Sequence, residues 1–535
     1  MSGTGIRACV LGLLLATAAA LTALLAVRTY WYLFHAITNV PYTDGWVILD
    51  EIRRFRSGAA GWSIFWAPYW GQRNLLARLL FFLSVKYFSF SALPLILVNV
   101  TAWLALLAVL VRTAWRLFPA RRRVLLICSI ALAHLLLSSL GMEVLVIAQN
   151  VQHSIGYASA VSAILLFERR PALGIALAIL ATASLAIGLA VWLALLAEAW
   201  QARARARTLA ILVAISAGMI ALYAVGYTRP PAFGIGVAGA LRHPGVALSM
   251  TSLVLGGPIT LYSLRLGSIA GGIGLAALGW FLIRRSETPA AFAFGVAGCF
   301  LALSAASLAV GRISPEWIAS LHGAQPLPSR YIAPVLVFWG CLFVLAMAQR
   351  NRLPRIAVSA LVLVMTFGTW SWQWRVSREW AAAMQKFDAI GSGFLSGVSD
   401  PEWMSLLLAD GALRDRLVDY LRRERLAMFA EPRAAWLGRR LGPAPPACRG
   451  SFSAGRVNDG LRISGALVRD GLPSASPFDL LIADATGTVV GLARSLPAQS
   501  EGQGAIDFLG YAPAAASSEL RIVVPGASGC HIVSH

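Results

Sequence analysis

Long apolar runs separated by short basic loops make up the first three quarters of the chain. The runs recur from about Arg7 to Trp370. Each run of 18 or more residues is long enough to cross about 30 Å of hydrocarbon as a helix. Strands of a membrane barrel would be about ten residues long and would alternate apolar with polar positions. The pattern therefore predicts a polytopic α-helical membrane protein.

The apolar runs between basic loops predict about eleven spans. They cover residues 7–34, 92–115 and 124–140, a fourth span that ends near Arg169, two helices within 172–200, and then 209–226, 268–283, 290–310, 332–348 and 356–370. The stretch 172–200 is either one span or a hairpin. We favour a hairpin that breaks near Ser184 to Gly188, because it keeps both flanking basic loops on one side. Residues 246–264, which contain Gly256-Gly257-Pro258, are interpreted as a re-entrant or interfacial helix.

The pattern changes after Trp374, where the chain becomes polar. Residues 375–445 have helical apolar spacing and end in a proline-rich break. Five short β-type runs follow, separated by turn residues, at 461–468, 478–482, 488–492, 506–509 and 520–524. The sequence thus predicts a transmembrane domain over 1–374, a periplasmic helical linker over 375–445 and a periplasmic all-β sandwich over 446–535.

Composition and charge agree with a membrane protein. Of the 535 residues, 58% are hydrophobic and only 13% are charged, against about a quarter in soluble proteins. The net charge of +21 comes from arginines spread over short loops, which argues against a nucleic-acid partner. Basic loops face the cytoplasm, so we expect a cytoplasmic N-terminus and a periplasmic C-terminal domain. Nearly all basic residues are Arg, which suggests a GC-rich coding genome and a bacterial source. We therefore expect a protein of a bacterial inner (plasma) membrane.

Two of the six cysteines, Cys448 and Cys530, bracket the predicted β-domain. A disulfide between them fits an oxidising outer compartment. The alternative is two unpaired thiols. The other four cysteines lie in predicted spans, where cysteine usually acts as a small hydrophobic residue.

Acidic residues in the first outer loop are the leading catalytic candidates. Asp44 follows the first span, and Asp50 and Glu51 lie a few residues further on. A carboxylate at the outer face could take a proton from an acceptor hydroxyl as a general base. The alternative for Asp44 is to cap a helix that starts near Trp46, because Asp is a preferred N-cap residue. Asp50 and Glu51 are expected mainly on the solvated face of that helix.

Arginines and polar residues near the outer face are candidates for substrate binding. Arg73, Arg78 and Arg330 are predicted to bind a phosphate, because the guanidinium fork matches phosphate oxygens. Contact with lipid headgroups is the alternative. The predicted substrate-binding residues are Trp46, Gln149, Asn150, Gln152, His153 and Tyr331. The sequence has neither a paired-cysteine spacing nor a zincin motif that would predict a metal site. Whether the protein depends on a divalent metal stays open.

These features resemble the GT-C superfamily of polytopic glycosyltransferases. The resemblance rests on the architecture, on Asp44-Gly45-Trp46, on the stretch from Arg73 to Leu80, on Gln149 to His153, and on Ser329-Arg330-Tyr331. Gln72 stands where a His is usual in the second of these motifs. In some members the first-loop acid is doubled as adjacent Asp-Glu, whereas here Asp44 is followed by Gly45 and the adjacent Asp50-Glu51 lies further on. The resemblance implies a polyprenyl-phosphate-linked sugar as donor, a glycan or lipid acceptor at the outer face, and inversion at the anomeric carbon.

Two other function classes stay open. One is a transporter or flippase for lipid-linked saccharides, which should carry ionisable groups within the membrane and internal repeats. The other is a non-catalytic envelope assembly protein. The lack of a P-loop argues against an ATP-driven transporter.

Overall fold

The computed structural model describes residues 3–69, 71–227, 235–284, 288–312, 329–443, 445–468, 477–496, 505–516, 519–525 and 530–533. By contacts the chain divides into two compact units. The first unit comprises Met1–Trp31, Phe65–Ala77 and Ile96–Ser377, and the second comprises Tyr32–Ile64, Arg78–Leu95 and Arg378–His535. Residues of the first outer loop therefore belong to the same unit as the C-terminal β-domain.

The described helices run along most of the chain. They are α1 Gly3–His35, α2 Asp44–Arg56, α3 Ser63–Trp66, α4 Leu75–Tyr87, α5 Leu93–Leu117, α6 Arg122–Leu136, α7 Met142–Val146, α8 Val151–Phe167, α9 Pro171–Ser184, α10 Ala190–Gln201, α11 Ala206–Ala224, α12 Gly236–Arg242, α13 Pro244–Leu255, α14 Gly257–Thr260, α15 Leu264–Ile283, α16 Pro289–Arg312, α17 Ser329–Ala348, α18 Arg352–Leu363, α19 Trp370–Ser396, α20 Pro401–Met404 and α21 Gly411–Glu424.

Seven helices in the described part of the chain are long and apolar enough to cross a membrane. A bent pair, Arg352–Gly368 and Trp370–Ser396, raises the number to eight if it counts as one span. This confirms a multi-pass membrane protein, whereas the predicted number of eleven spans is not confirmed. The pair bends by 48° next to a π-helical turn over Val364–Gly368, and such turns commonly bend helices.

The predicted break within 172–200 is present, and the stretch forms two short apolar helices, α9 and α10. Its break lies where it was predicted, since α9 ends at Ser184 and a 3₁₀ turn covers Ala186–Leu189. Gly188 packs so closely that a Cβ there would lie 2.4 Å from the carbonyl carbon of Ala181. The Trp192 indole donates to Thr182 Oγ1 at 3.0 Å, which joins the two arms.

The segment interpreted as re-entrant or interfacial is broken in the structure. α13 has 12 residues, which corresponds to about 18 Å of helix and is too short to cross the hydrocarbon. It packs tightly on α15, because a Cβ at Gly271 would lie 1.8 Å from the carbonyl oxygen of Ser252. Only glycine allows this close approach of two backbones.

The described residues of the C-terminal domain form a seven-stranded antiparallel sheet. Its strands are β1 Gly450–Val457, β2 Gly460–Val468, β3 Asp479–Ala483, β4 Val489–Ser495, β5 Ala505–Pro513, β6 Arg521–Val523 and β7 His531–Val533, in the order β1-β2-β5-β4-β3-β6-β7. The five predicted strands correspond to β2 to β6, while β1 and β7 were missed. The core contains Ile463, Leu480, Ile482, Phe508 and Ile522.

The two ends of the sheet approach each other, which makes it barrel-like. Ala447 forms a parallel bridge with His531, and the Cys448 amide donates to the His531 carbonyl at 2.8 Å. The predicted disulfide between Cys448 and Cys530 is present at the same place. The all-β, antiparallel character is confirmed, and the predicted sandwich shape is not.

The disulfide should contribute strongly to the stability of the β-domain. It closes a loop with a sequence separation of 82 residues. Replacing both Cys448 and Cys530 by Ser should lower the free energy of unfolding by about 2–5 kcal/mol, because the unfolded chain regains the entropy of that loop. Thermal unfolding in detergent measures the change, with Cys9→Ser as a control at an exposed free thiol. An unchanged unfolding midpoint in the double variant would contradict this expectation.

Candidate active site

The leading acidic candidate, Asp44, is the first residue of α2 in the second unit. Thr43 occupies the N-cap position and makes no side-chain capping bond. The helical bonding starts with the Gly45 amide, which donates to the Tyr42 carbonyl at 3.0 Å. The alternative in which Asp44 itself caps a helix starting near Trp46 is therefore wrong. The half-buried carboxylate lies in the first turn, where the helix dipole favours a negative charge.

The backbone immediately before Asp44 is strained. Thr43 has φ 43° and ψ −114°, a conformation that residues other than glycine rarely adopt. The Thr43 amide donates to the Leu407 carbonyl at 2.9 Å, and this bond helps to hold the conformation. Strain of this kind costs roughly 1–3 kcal/mol and clusters at functional sites, so it supports a functional role for the residue that follows.

The buried face of α2 holds Asp44 in place. Trp46, Leu49 and Ile52 are at most 1% exposed. The Trp46 ring meets Phe394 edge-on, with ring centroids 5.9 Å apart. Trp46 was predicted to contact substrate, but its complete burial favours a packing role instead.

The expectation that Glu51 lies on the solvated face of α2 is wrong. Its carboxylate accepts two bonds of 2.6 Å from Nε and Nη2 of Arg78, and the two side chains are 16% and 2% exposed. Burial raises the pKa of the Glu51 carboxyl, while the bonds and charge of Arg78 oppose that rise. Asp50 also forms an ion pair, at 2.7 Å with Arg53, and is only 20% exposed.

Arg78 pairs with Glu51 because its position on α4 buries its guanidinium group. This short helix was not foreseen, and it buries the guanidinium rather than presenting it to solvent. A buried guanidinium needs acceptors on the protein, and Glu51 supplies both oxygens in the bidentate geometry. The fork that was predicted to bind a donor phosphate is therefore largely occupied by a carboxylate in this structure.

Arg73, in the first unit, is likewise held by protein acceptors. Its guanidinium donates to the carbonyls of Trp66, Tyr223 and Val225, with the Tyr223 bond at 2.8 Å. The rings of Trp66 and Tyr223 lie 5.2 and 5.7 Å from its guanidinium carbon. Arg73 is 2% exposed. These contacts give it a structural role at the end of α11 rather than the predicted contact with phosphate.

Arg330 is the most accessible of the three predicted phosphate ligands. It is the second residue of α17 in the first unit, and its side chain is 36% exposed. Its Nη1 donates to Glu143, whose carboxylate is 4% exposed and also accepts from the Arg330 backbone amide at 3.1 Å. The guanidinium carbon lies 4.9 Å from the ring of Tyr331. Glu143 thus orients an arginine that still reaches solvent.

The polar stretch from Gln149 to His153 lies close to this ion pair in the first unit. Asn150 donates to the Glu143 carbonyl at 2.9 Å. Gln149 and Gln152 are only 7% and 8% exposed, and Gln152 Oε1 has no hydrogen-bond partner among the described residues. The His153 ring stacks on Tyr157, with centroids 6.4 Å apart. Of the predicted polar residues, Asn150 contacts the Glu143 backbone, and Gln149, Asn150 and Gln152 are buried.

Glu143 was not predicted as a site residue. Its signal in the sequence is a single carboxylate inside the apolar stretch from Leu140 to Ile147, and ionisable residues in such stretches are usually paired or functional. No set of three His, Cys, Asp or Glu side chains suitable for a metal occurs within the described ranges.

Comparison with known proteins adds no further assignment. The chain matches no family model, no curated protein and no solved structure. Any functional statement therefore has to come from the chain's own residues and their geometry.

The Glu51–Arg78 pair is expected to be structural. Replacing Glu51 by Gln leaves the Arg78 guanidinium buried without its charge partner, and breaking such pairs costs up to about 3–5 kcal/mol of unfolding free energy. The apparent melting temperature in detergent should fall clearly. Asp419→Asn is the control, because that carboxylate is 69% exposed in a surface ion pair and its loss should change little. Equal melting temperatures for both variants would show that the buried pair contributes little.

Proposed function

We propose that the protein is a membrane glycosyltransferase of the GT-C kind, which moves a sugar from a polyprenyl-phosphate-linked donor to a cell-envelope acceptor. The observation that carries the proposal is the presentation of Asp44. Its carboxylate stands at the start of α2, directly after a strained Thr43 backbone, on a helix whose other face is fully packed. A rigidly held carboxylate in a protein with many membrane spans is what base catalysis on a membrane-anchored substrate requires.

The proposed reaction is a direct displacement. Asp44 accepts the proton of the acceptor hydroxyl while the hydroxyl oxygen forms a bond to the anomeric carbon. The bond from that carbon to the donor phosphate oxygen breaks, and the polyprenyl phosphate leaves with the electron pair. The configuration at the anomeric carbon is inverted because the acceptor and the leaving group lie on opposite faces of the sugar.

Arg330, in the first unit, is proposed as the residue that binds a phosphate. Of the three predicted phosphate ligands it is the one with substantial exposure, and its pairing with Glu143 fixes the direction of the guanidinium. A fixed positive charge stabilises a developing anion without reorganisation during the reaction. Arg73 and Arg78 are assigned structural roles, since their guanidinium groups are almost completely buried and held by protein acceptors.

A second candidate function is supported by other residues of the first unit. His134 and Glu198 lie in apolar helices and are 2% and 3% exposed. Ionisable residues within membrane helices are typical of transport pathways. A flippase for lipid-linked saccharides is therefore the alternative. In a flippase Asp44 would not act as a general base.

Replacing Asp44 by Asn tests the assignment directly. Asn has nearly the same shape but cannot accept the proton, so transfer from a polyprenyl-phosphate sugar should fall about 10²–10⁴-fold. The melting temperature should stay near that of the wild type, because Thr43 and not Asp44 holds the N-cap position. The assay measures sugar transfer in membranes with protein levels held equal.

Asp419→Asn is the matched control, since it makes the same chemical change at an exposed surface ion pair of the same unit. Wild-type transfer by Asp44→Asn would exclude Asp44 as the base and move attention to Asp50. If the wild-type protein flips the donor lipid across the membrane but transfers no sugar, the transporter alternative is favoured.

The proposed orientation is a cytoplasmic N-terminus and a periplasmic C-terminal domain in a bacterial inner membrane. Alkaline phosphatase is active only in the oxidising periplasm. Fusion after Trp374 should give an active reporter, and fusion after Arg207, in a basic loop, should give an inactive one. Activity after Arg207 combined with no activity after Trp374 would reverse the orientation.

A further inference from the structure

A buried network of charged and polar side chains joins the β-domain to the loop that leads into Asp44. Every member lies in the second unit. The network begins in the sheet, where Arg494 of β4 pairs with Asp479 of β3 at 2.8 Å and with Asp388 of α19 at 2.5 Å. Asp388 is 5% exposed, whereas Arg494 and Asp479 are 18% and 35% exposed, so the network runs from the surface of the sheet into the interior.

Arg433 extends the network towards the loop. It lies in a 3₁₀ turn over Pro432–Trp436 and is 4% exposed. Its guanidinium pairs with Asp388 at 2.6 Å and with Glu431 at 2.6 Å. Burial alone would lower the pKa of Arg433, but attraction to Asp388, Glu431 and Asp479 together outweighs this effect and raises it.

The same carboxylates hold the segment that precedes Asp44. Thr38 donates from Oγ1 to Asp388 Oδ1 at 3.0 Å. Asn39 donates from Nδ2 to Glu431 Oε1 at 2.7 Å, and its Oδ1 accepts from the Ala92 amide at 2.9 Å. One carboxamide thus joins the loop both to the C-terminal network and to the residue before α5.

Two further contacts continue along the loop to Asp44. The Tyr42 ring stacks on Phe387, next to Asp388 on α19, with centroids 4.6 Å apart. The Thr43 amide donates to the Leu407 carbonyl, and this bond holds the strained conformation before Asp44. Residues 38, 39, 42 and 43 are therefore all attached to the C-terminal part of the second unit.

We propose that this network, which we call the clamp, positions Asp44, and that Asn39 and Glu431 are its positioning residues. The clamp comprises Thr38, Asn39, Asp388, Glu431, Arg433, Asp479 and Arg494. The inference rests on the proposed role of Asp44 as base. It assigns the β-domain a function, which is to hold a catalytic loop that lies about 400 residues before its first strand. A base displaced by about 1 Å loses on the order of 10²-fold in rate, so such a support matters for catalysis.

The Asn39–Glu431 bond allows an exchange of donor and acceptor. Asn39→Asp keeps the acceptor for the Ala92 amide but sets a second carboxylate against Glu431. Glu431→Gln then restores a donor at that position. The change is chemically reasonable, because the clamp contains three carboxylates and only two guanidinium groups, and burial raises the pKa of the Glu431 carboxyl.

The first experiment measures sugar transfer by the exchange series. Asn39→Asp should lower kcat about 10- to 100-fold with little change in KM for the donor, since the base moves while donor binding is retained. The double variant Asn39→Asp/Glu431→Gln should recover most of that loss. A wild-type kcat in Asn39→Asp would overturn the proposal. So would a double variant whose loss of kcat equals the product of the losses in Asn39→Asp and Glu431→Gln measured separately.

The second experiment tests the contribution of the β-domain. Arg494→Gln removes the link from the sheet to Asp388 and should lower kcat. The matched control is Tyr511→Phe, which removes a buried bond of 3.1 Å to Asp400 from the same sheet without touching the clamp. It should lower the melting temperature while kcat stays at the wild-type value. Equal losses of kcat in the two variants would mean that the β-domain contributes stability alone.

Hydrogen exchange separates the clamp from the proposed chemistry. Deuterium uptake by a peptide covering residues 38–46 should be faster in Asn39→Asp and Arg494→Gln and unchanged in Tyr511→Phe. Unchanged uptake in the first two variants overturns the clamp whatever the role of Asp44. Faster uptake in a protein whose Asp44→Asn variant transfers sugar normally supports the clamp and refutes Asp44 as the base.

Discussion

A guanidinium group that leaves water has to find acceptors inside the protein, and this requirement shapes both units. Arg73 uses three backbone carbonyls, Arg78 uses both oxygens of Glu51, and Arg433 uses several carboxylates. Such pairs add little net stability compared with a well-packed apolar core, but losing one partner leaves a buried charge and is costly. They therefore determine which segments must stay together rather than how stable the fold is.

This requirement also separates two structural arginines from the one that is proposed to bind phosphate. Arg73 and Arg78 are 2% exposed and have acceptors placed around the guanidinium, so binding an external phosphate would require these contacts to break. The Arg330 guanidinium and the Arg330 backbone amide both donate to the Glu143 carboxylate, and about a third of the Arg330 side chain stays accessible. The protein thus orients this guanidinium and leaves part of it accessible to a further ligand. The same reasoning identifies Glu143 as the residue that sets this orientation.

Around Asp44, the local backbone and the distant sheet act together. The Thr43 conformation is unfavourable by itself and persists only when its surroundings hold it. The buried face of α2 holds it from one side, and the ion network of the second unit holds the preceding residues from the other. A carboxylate held by contacts so far apart in sequence has little freedom to move, which is the property that a general base needs.

The sequence by itself determined the class of protein and most of its elements. Apolar length predicted the membrane helices, flanking charge predicted the break between α9 and α10, and alternation predicted β2 to β6, because each depends on local spacing alone. β1 was missed because its residues are largely exposed and carry little apolar alternation, and β7 because it has only three residues. Cys448 and Cys530 were paired correctly because they bracket the domain.

The candidate site was decided mainly by tertiary structure. The sequence singled out Asp44, Glu51, Arg78 and Arg330, but it placed Glu51 in solvent and did not find Glu143 or the Asn39–Glu431 bond. Partners in these pairs lie between 27 and about 390 residues apart, and local pattern carries no information on such distances. Which charge is buried, and therefore which must be paired, depends on how the helices and the sheet pack, and only the folded chain decides that.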